Sequence, residues 1–240
     1  MPANPLYDDP RLAAAYARNS AASLCNARYE RPALRRVTGP GTALDVLDAG
    51  CAAGEHARWF ARNGARVTAL DASPAMAGLA RENLAGAGRV LVHDLRAPLP
   101  FAAAAFDLVV SSLTLHYVED WAPVLAEFRR VLRPAGRLVV STHHPFTTLA
   151  AGPYFALHEI AETWPSIGGE PVTVRFFHRP LAAVVAAFVA AGFRLAALHE
   201  PRLEDEPRPD DGELAGRLRN EPWFLIVEAL PAETTAPANP

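Results

Sequence analysis

The sequence predicts an α/β fold: a doubly wound, mostly parallel sheet with helices on both faces. Two observations carry this. Short apolar segments alternate with amphipathic helical segments from residue 43 to residue 141, and the apolar segments are hydrophobic nearly throughout, as strands covered on both faces are. A length of 240 residues is also within what one large sheet with its helices occupies, so one principal domain is expected.

Residues 43–49 read as a first strand that runs into Gly50, and a helix over 54–63 follows, stopped by Gly64. Residues 66–70 form a second strand. Ser73 and Pro74 then supply an N-cap and a first helical residue, and Met76, Leu79, Ala80 and Leu84 recur on one helical face. Strands are expected at 89–92 and 106–111, a helix at 121–133 and a strand at 137–141. The Trp121 helix ends in Arg129, Arg130 and Arg133, where the helix dipole favours cations. Residues 146–179, rich in aromatics and histidine, break the rhythm and read as an insertion over the sheet edge. A helix over 181–191, a strand over 193–198 and a final strand over 223–230 resume it, and the proline-rich, charged residues 200–219 between those strands read as a loop with some helix. Three units follow: a helical segment at 1–40, the main domain at 41–230 with an insertion at about 146–179, and a disordered tail at 231–240, which lacks apolar periodicity.

Composition removes several function classes. The 23 basic residues are all arginine, so lysine chemistry, including a Walker-type phosphate loop and a Schiff base, is excluded. Two cysteines, Cys25 and Cys51, are too few for a zinc site or a disulfide framework, and the acidic cluster Glu204, Asp205, Glu206, Asp210 and Asp211 reads as solvated loop charge, so no metal is expected. A net charge of −3 gives no basic footprint for a nucleic-acid backbone. The longest apolar stretch, 181–193, falls short of the roughly 20 residues of a membrane span. With no secretory signal visible, a cytoplasmic location is the default expectation. Arginine-, alanine- and proline-rich usage without lysine suggests a GC-rich bacterial genome.

The sharpest motif is Val46-Leu47-Asp48-Ala49-Gly50-Cys51-Ala52-Ala53-Gly54 at the first strand-to-helix turn. Glycines there let a ligand approach the backbone, and the helix N-terminus beyond offers free amides. A dinucleotide-binding G-x-G-x-x-G would need glycines where Ala52 and Glu55 stand, which disfavours a nicotinamide dehydrogenase. Asp71 closes the second strand, where a carboxylate can accept from both ribose hydroxyls. His93-Asp94-Leu95 closes the third, where a carboxylate can accept from a purine amine. Together these describe a site for an adenosine bearing a short polar tail and no phosphates.

On these residues the sequence resembles the class I S-adenosylmethionine-dependent methyltransferases. The 46–54 segment looks like the family's glycine-rich first motif, 70–74 like its ribose motif and 93–95 like its adenine motif; 106–111 and 132–138 look like its fourth strand and the turn into its fifth. The family usually has glycine where Ala52 stands. The resemblance implies a Rossmann-like methyltransferase sheet with an antiparallel last strand, S-adenosylmethionine as cofactor with S-adenosylhomocysteine as product, and a helical cap at 1–40 over the cofactor site. It implies cofactor contacts from Asp48, Gly50, Cys51, Ala52, Gly54, Asp71, Ala72, Met76, Asp94, Leu95 and Ser111.

No Asp/Asn-Pro-Pro-aromatic motif follows the fourth strand and no cysteine follows a proline, so methylation of nucleic acid is disfavoured. The histidine-bearing segments resemble the small-molecule and quinone-type branch. The expected activity is methyl transfer to an oxygen, nitrogen or carbon of a small organic acceptor by a monomer or homodimer; the alternative is a catalytically inactive S-adenosylmethionine-binding scaffold or regulator. His116, Tyr117, His144 and His178 are expected to face the acceptor, with His116, His144 or His178 as a candidate base.

Overall fold

A computed structural model describes residues 5–204, 208 and 211–233. Four short helical segments come first: α1 (Pro5–Asp8), α2 (Pro10–Ala22), a wide π-helical segment (Leu24–Glu30) and α3 (Arg31–Thr38). Asp9 caps α2 by accepting the Arg11 and Leu12 N–H groups. The alternating unit follows: β1 (Asp45–Ala49), α4 (Glu55–Arg62), β2 (Arg66–Asp71), α5 (Pro74–Leu84), β3 (Gly88–Val92), β4 (Phe106–Ser112), α6 (Ala122–Val131) and β5 (Leu132–His143). A hairpin of β6 (His158–Ile167) and β7 (Glu170–His178) precedes α7 (Leu181–Ala190), β8 (Phe193–His199), α8 (Gly212–Asn220) and β9 (Phe224–Pro231).

The main sheet has the order β3-β2-β1-β4-β5-β9-β8. Strands β1 to β5 pair in parallel, and β9 inserts between β5 and β8, antiparallel to both. Because side chains alternate along a strand, one set of residues serves each face. Val46, Leu108, Val110, Val139 and Ile226 pack under α3, α4 and α5 through Leu34, Phe60, Ala80 and Leu84. Leu47, Val109, Leu138, Val140 and Val227 pack under α6 and α7 through Leu125, Phe128, Val184 and Phe188. Both faces are covered, which is why these strands carry so few polar residues.

Two local expectations need correction, and a third gains detail. The leading segment, where the sequence predicts one or two helices, holds four helical pieces. The insertion is its own two-stranded sheet, β6 and β7, whose Ile167, Val172, Val174 and Phe176 pack on Leu6 and Leu12 of the leading helices, with Tyr7, Tyr16 and Tyr117 beside them. That apolar face binds the insertion to the leading segment. The helix expected to reach Arg133 stops at Val131, and Arg133 instead bridges Asp45 and Asp107 at the starts of β1 and β4. Of the tail, Pro231 ends β9, and residues 234–240 lie outside the described residues, as do Asp205, Glu206 and Asp210 of the acidic cluster. No described helix is long and apolar enough to cross a membrane.

Candidate functional site

Strand order reverses between β1 and β4, and open α/β sheets bind ligands beyond the carboxyl ends of the strands at such a point. A cavity of about 430 Å³ lies there. Its floor is the turn after β1. Gly50 takes φ 83°, and a Cβ on it would lie 2.3 Å from the Thr114 methyl, so only glycine lets the β4 exit pack so close. Thr114 Oγ1 donates to the Gly50 carbonyl at 3.1 Å and fixes that approach. Ala52 is left-handed at φ 46°, and its N–H donates to Asp71 Oδ2 at 2.8 Å.

Asp71 works on both sides. Its Oδ1 accepts the Ser73 N–H at 2.9 Å, and Ser73 in turn caps α5 by accepting the Met76 N–H. Burial raises the Asp71 carboxyl pKa, opposed by these backbone donors. The Ser73 hydroxyl donates to the Tyr7 carbonyl, which ties α1 to the end of β2. At the end of β3, Asp94 pairs with Arg96, and that ion pair holds its carboxyl below the usual range.

The leading segment supplies the wall. Tyr7 and Tyr117 share a hydrogen bond between their hydroxyls at 2.6 Å, and burial raises both phenols well above their ordinary pKa. Glu30, at the end of the π-helical segment, is 1% exposed and accepts from the Ser112 hydroxyl at 2.8 Å and the Ser141 hydroxyl at 2.5 Å. Its other oxygen stands 3.5 Å from His56 Nε2. Burial alone would raise the Glu30 pKa, but nearby His56 and the hydrogen bonds from Ser141 and Ser112 lower it overall. Asp48 beside them is pushed up to about 6 by burial, against the pull of His56.

Of the residues expected from sequence, Asp48, Gly50, Cys51, Ala52, Asp71, Ala72, Met76, Asp94, Leu95 and Tyr117 line this cavity. Gly54 and Ser111 stand behind it. A methyl on Gly54 would meet Ala80 and Leu84 at 3.1 Å, so its role is to seat α4 on α5; the Ser111 hydroxyl is fully buried and donates to the Ala49 carbonyl.

The three histidines expected at the acceptor are not among the lining residues. His116 is buried and stacks on His143 at 4.0 Å between ring centroids. His144 accepts the Phe146 N–H on Nδ1 and meets Glu200 through Nε2. His178 uses both ring nitrogens on Thr148 Oγ1 and the Tyr154 carbonyl. Each is consumed by packing or by hydrogen bonds of the insertion and the loops. Conversely, Glu30, His56, Asn26 and Arg31 line the cavity without any signal in local sequence pattern.

A profile described as a methyltransferase domain matches residues 47–140. A relative from Pseudescherichia vulneris named malonyl-[acyl-carrier protein] O-methyltransferase is 34% identical over 187 residues, 76% of this chain and 70% of its own length. The chain belongs to the class I S-adenosylmethionine-dependent methyltransferases. A Serratia marcescens relative of the same name is 34% identical over 171 residues, covering 70% of this chain but only 63% of the relative. The solved structure of an S-adenosylmethionine-dependent methyltransferase from Mesorhizobium loti is 29% identical with a TM-score of 0.66, covering 83% of this chain and 96% of that one.

The cavity suits the family's donor. Its volume lies in the range of small-ligand sites. Asp8, Asp48, Glu55, Asp71 and Asp94 surround it with carboxylates that complement a cationic sulfonium and ammonium, and Asp48 Oδ2 is buried with no hydrogen-bond partner. Among the described residues no histidine, cysteine and carboxylate group stands in a metal-holding arrangement.

Proposed function

We propose that this protein transfers the methyl of S-adenosylmethionine to a carboxylate oxygen of a small or carrier-borne acceptor. The donor reading is supported by one arrangement: the glycine turn, Asp71 and Asp94 stand at three successive strand ends around one cavity. Asp71 and Ala72 serve the ribose, Asp94 and Leu95 the adenine edge, and Met76 the adenine face. Asp48, Gly50, Cys51 and Ala52 enclose the amino-acid tail, and Gly54 and Ser111 hold that shell in place. The first 40 residues cap the cofactor, with Tyr7 and Tyr16 on its inner side.

When bound, the donor supplies a methyl carbon activated by its sulfonium, so that an acceptor oxygen displaces the sulfur and the S–C electron pair leaves with S-adenosylhomocysteine. The chain's task is alignment and exclusion of water. The acceptor reading rests on the charge that the nucleophile already carries. The Tyr7 and Tyr117 phenols are held protonated, and Glu30 is engaged by two serines and His56. A carboxylate is already ionised at neutral pH, so its oxygen can attack without a proton being removed by any side chain of the cavity. The relatives' name, which specifies O-methylation of a malonyl group on a carrier protein, agrees with this chemistry.

The test is methyl transfer from labelled donor to a panel headed by a malonyl thioester, with phenols and amines beside it. An alkali-labile methyl ester is the expected product. An alkali-stable product overturns the carboxylate reading, and absence of calorimetric binding of S-adenosylhomocysteine overturns the donor reading.

A further inference from the structure

Two arginines reach the cavity, Arg31 and Arg96. Arg96 is neutralised by Asp94. Arg31 has no carboxylate within ion-pair distance among the described residues: its neighbour Glu30 turns its oxygens to Ser112, Ser141 and His56. Instead, the guanidinium is held by one residue of α2. Nη1 donates to the Ser20 carbonyl at 3.0 Å and Nη2 to the Ser20 hydroxyl at 2.7 Å.

Ser20 is itself buried. On the same wall Tyr16 packs edge-on against Tyr7, whose hydroxyl is hydrogen-bonded to that of Tyr117. A guanidinium has five N–H donors in a fixed plane, and only two contacts are used here. An arginine anchored on one side and facing a cavity on the other is preorganised for a planar anion.

We propose that Arg31, clamped by Ser20, is the carboxylate-binding residue of this cavity. Carboxylate matches the fork geometry, and it complements the one cavity cation that no described acid neutralises. Two carboxylates can come from the ligands of this site: the amino-acid carboxylate of the donor and, on the function proposed above, that of the acceptor. The surrounding acids, Asp48, Asp71 and Glu55, suit the donor's cationic groups and repel any anion, so without Arg31 either carboxylate would enter against a like-charged wall.

The experiment compares wild type with Arg31→Met by calorimetry against three probes: S-adenosylhomocysteine, decarboxylated S-adenosylmethionine, and monoethyl malonate added to protein saturated with S-adenosylhomocysteine. If the donor's carboxylate binds Arg31, the variant loses at least about tenfold in affinity for S-adenosylhomocysteine and less than about threefold for the decarboxylated donor. If the acceptor's does, both donor affinities hold and monoethyl malonate binding falls by about tenfold or more. Unchanged binding of S-adenosylhomocysteine with no arginine-dependent binding of monoethyl malonate overturns the proposal.

The decarboxylated donor also reports that the variant is folded. Arg31→Lys keeps the charge and is expected to recover part of the lost affinity, and Ser20→Ala, which removes the hydroxyl contact to Nη2 and leaves the carbonyl contact to Nη1, should show a smaller loss for the same probe. Wild type that binds no S-adenosylhomocysteine at all would overturn the donor assignment instead, so the two failures are distinguishable.

Discussion

Asp71 Oδ2 accepts the N–H of Ala52, the left-handed residue of the turn after β1, at 2.8 Å. The carboxylate at the end of one strand therefore sets the shape of the loop at the end of its neighbour. Since Oδ1 holds the Ser73 N–H at the start of α5, a single side chain fixes both walls of the ribose end of the cavity. Each carboxylate oxygen keeps lone-pair capacity toward a ligand hydroxyl.

Replacing Asp71 by alanine should therefore cost twice. Two backbone N–H groups lose their acceptor, which lowers stability by about 2 kcal/mol, and the ligand hydroxyls lose theirs, which weakens S-adenosylhomocysteine binding by about 2 kcal/mol or more. Chemical denaturation and calorimetry read the two separately. Unchanged affinity in the folded variant would remove Asp71 from the ligand site.

Ala52→Gly should stabilise the protein. Alanine at φ 46° carries a left-handed cost of about 1–2 kcal/mol, part of which the greater freedom of glycine in the unfolded chain offsets. A net gain of about 0.5–1 kcal/mol is expected, seen as a rise in Tm of roughly 1–4 °C. Because the Ala52 N–H donates to Asp71 with either residue, donor affinity should stay within about threefold. A tenfold gain in affinity would mean that the alanine methyl obstructs the ligand.

Glu30→Gln removes a buried charge held by two serine hydroxyls and faced by His56. The expected loss at pH 7 is about 2 kcal/mol: the glutamine carbonyl can keep both serine hydroxyls, but an NH2 group replaces the charged oxygen that faces His56. The Glu30 pKa is lowered by those neighbours despite burial, so its contribution is present above the unfolded pKa and fades as pH falls through the folded one. Denaturant titrations at pH 7 and pH 4 should show a smaller difference between variant and wild type at pH 4.

The β1-to-β5 rhythm was legible because each strand is short, apolar and followed by a helix with its own stop or cap: Gly50 and Gly64 around α4, Ser73 before α5. The strand-end residues Asp71 and Asp94 were legible for the same reason, since a residue's place at the end of a parallel strand already puts it at the ligand edge. Glu30 was not. Its partners Ser112 and Ser141 lie 82 and 111 residues away, and nothing in local periodicity points a leading-segment glutamate at two later strands. The histidines lie off the cavity lining because a place after a strand does not fix where a side chain points, and the β6–β7 hairpin packs Phe176 edge-on against both His116 and His143.

The His116–His143 pair gives the last prediction. The rings stack at 4.0 Å, inclined by 11°, with Phe176 edge-on and Phe224 stacked on the far side of His143. Burial lowers the His143 pKa to about 4, and burial together with His143 holds His116 well below its ordinary value. A histidine whose folded pKa is depressed is neutral in the native state while the unfolded chain takes up its proton, so stability is lost as pH falls from about 6.5 toward 4. Asp48, raised to about 6 by burial, contributes with the opposite sign over much of the same range. Comparing wild type with His143→Phe cancels the Asp48 contribution, since that residue is common to both. Phenylalanine keeps the aromatic stack and cannot titrate, so the variant should hold its stability better between pH 6.5 and pH 4, by roughly 3 kcal/mol at the acid end. Equal slopes for the two proteins would mean that acid reaches the imidazole pair without unfolding the hairpin that covers it.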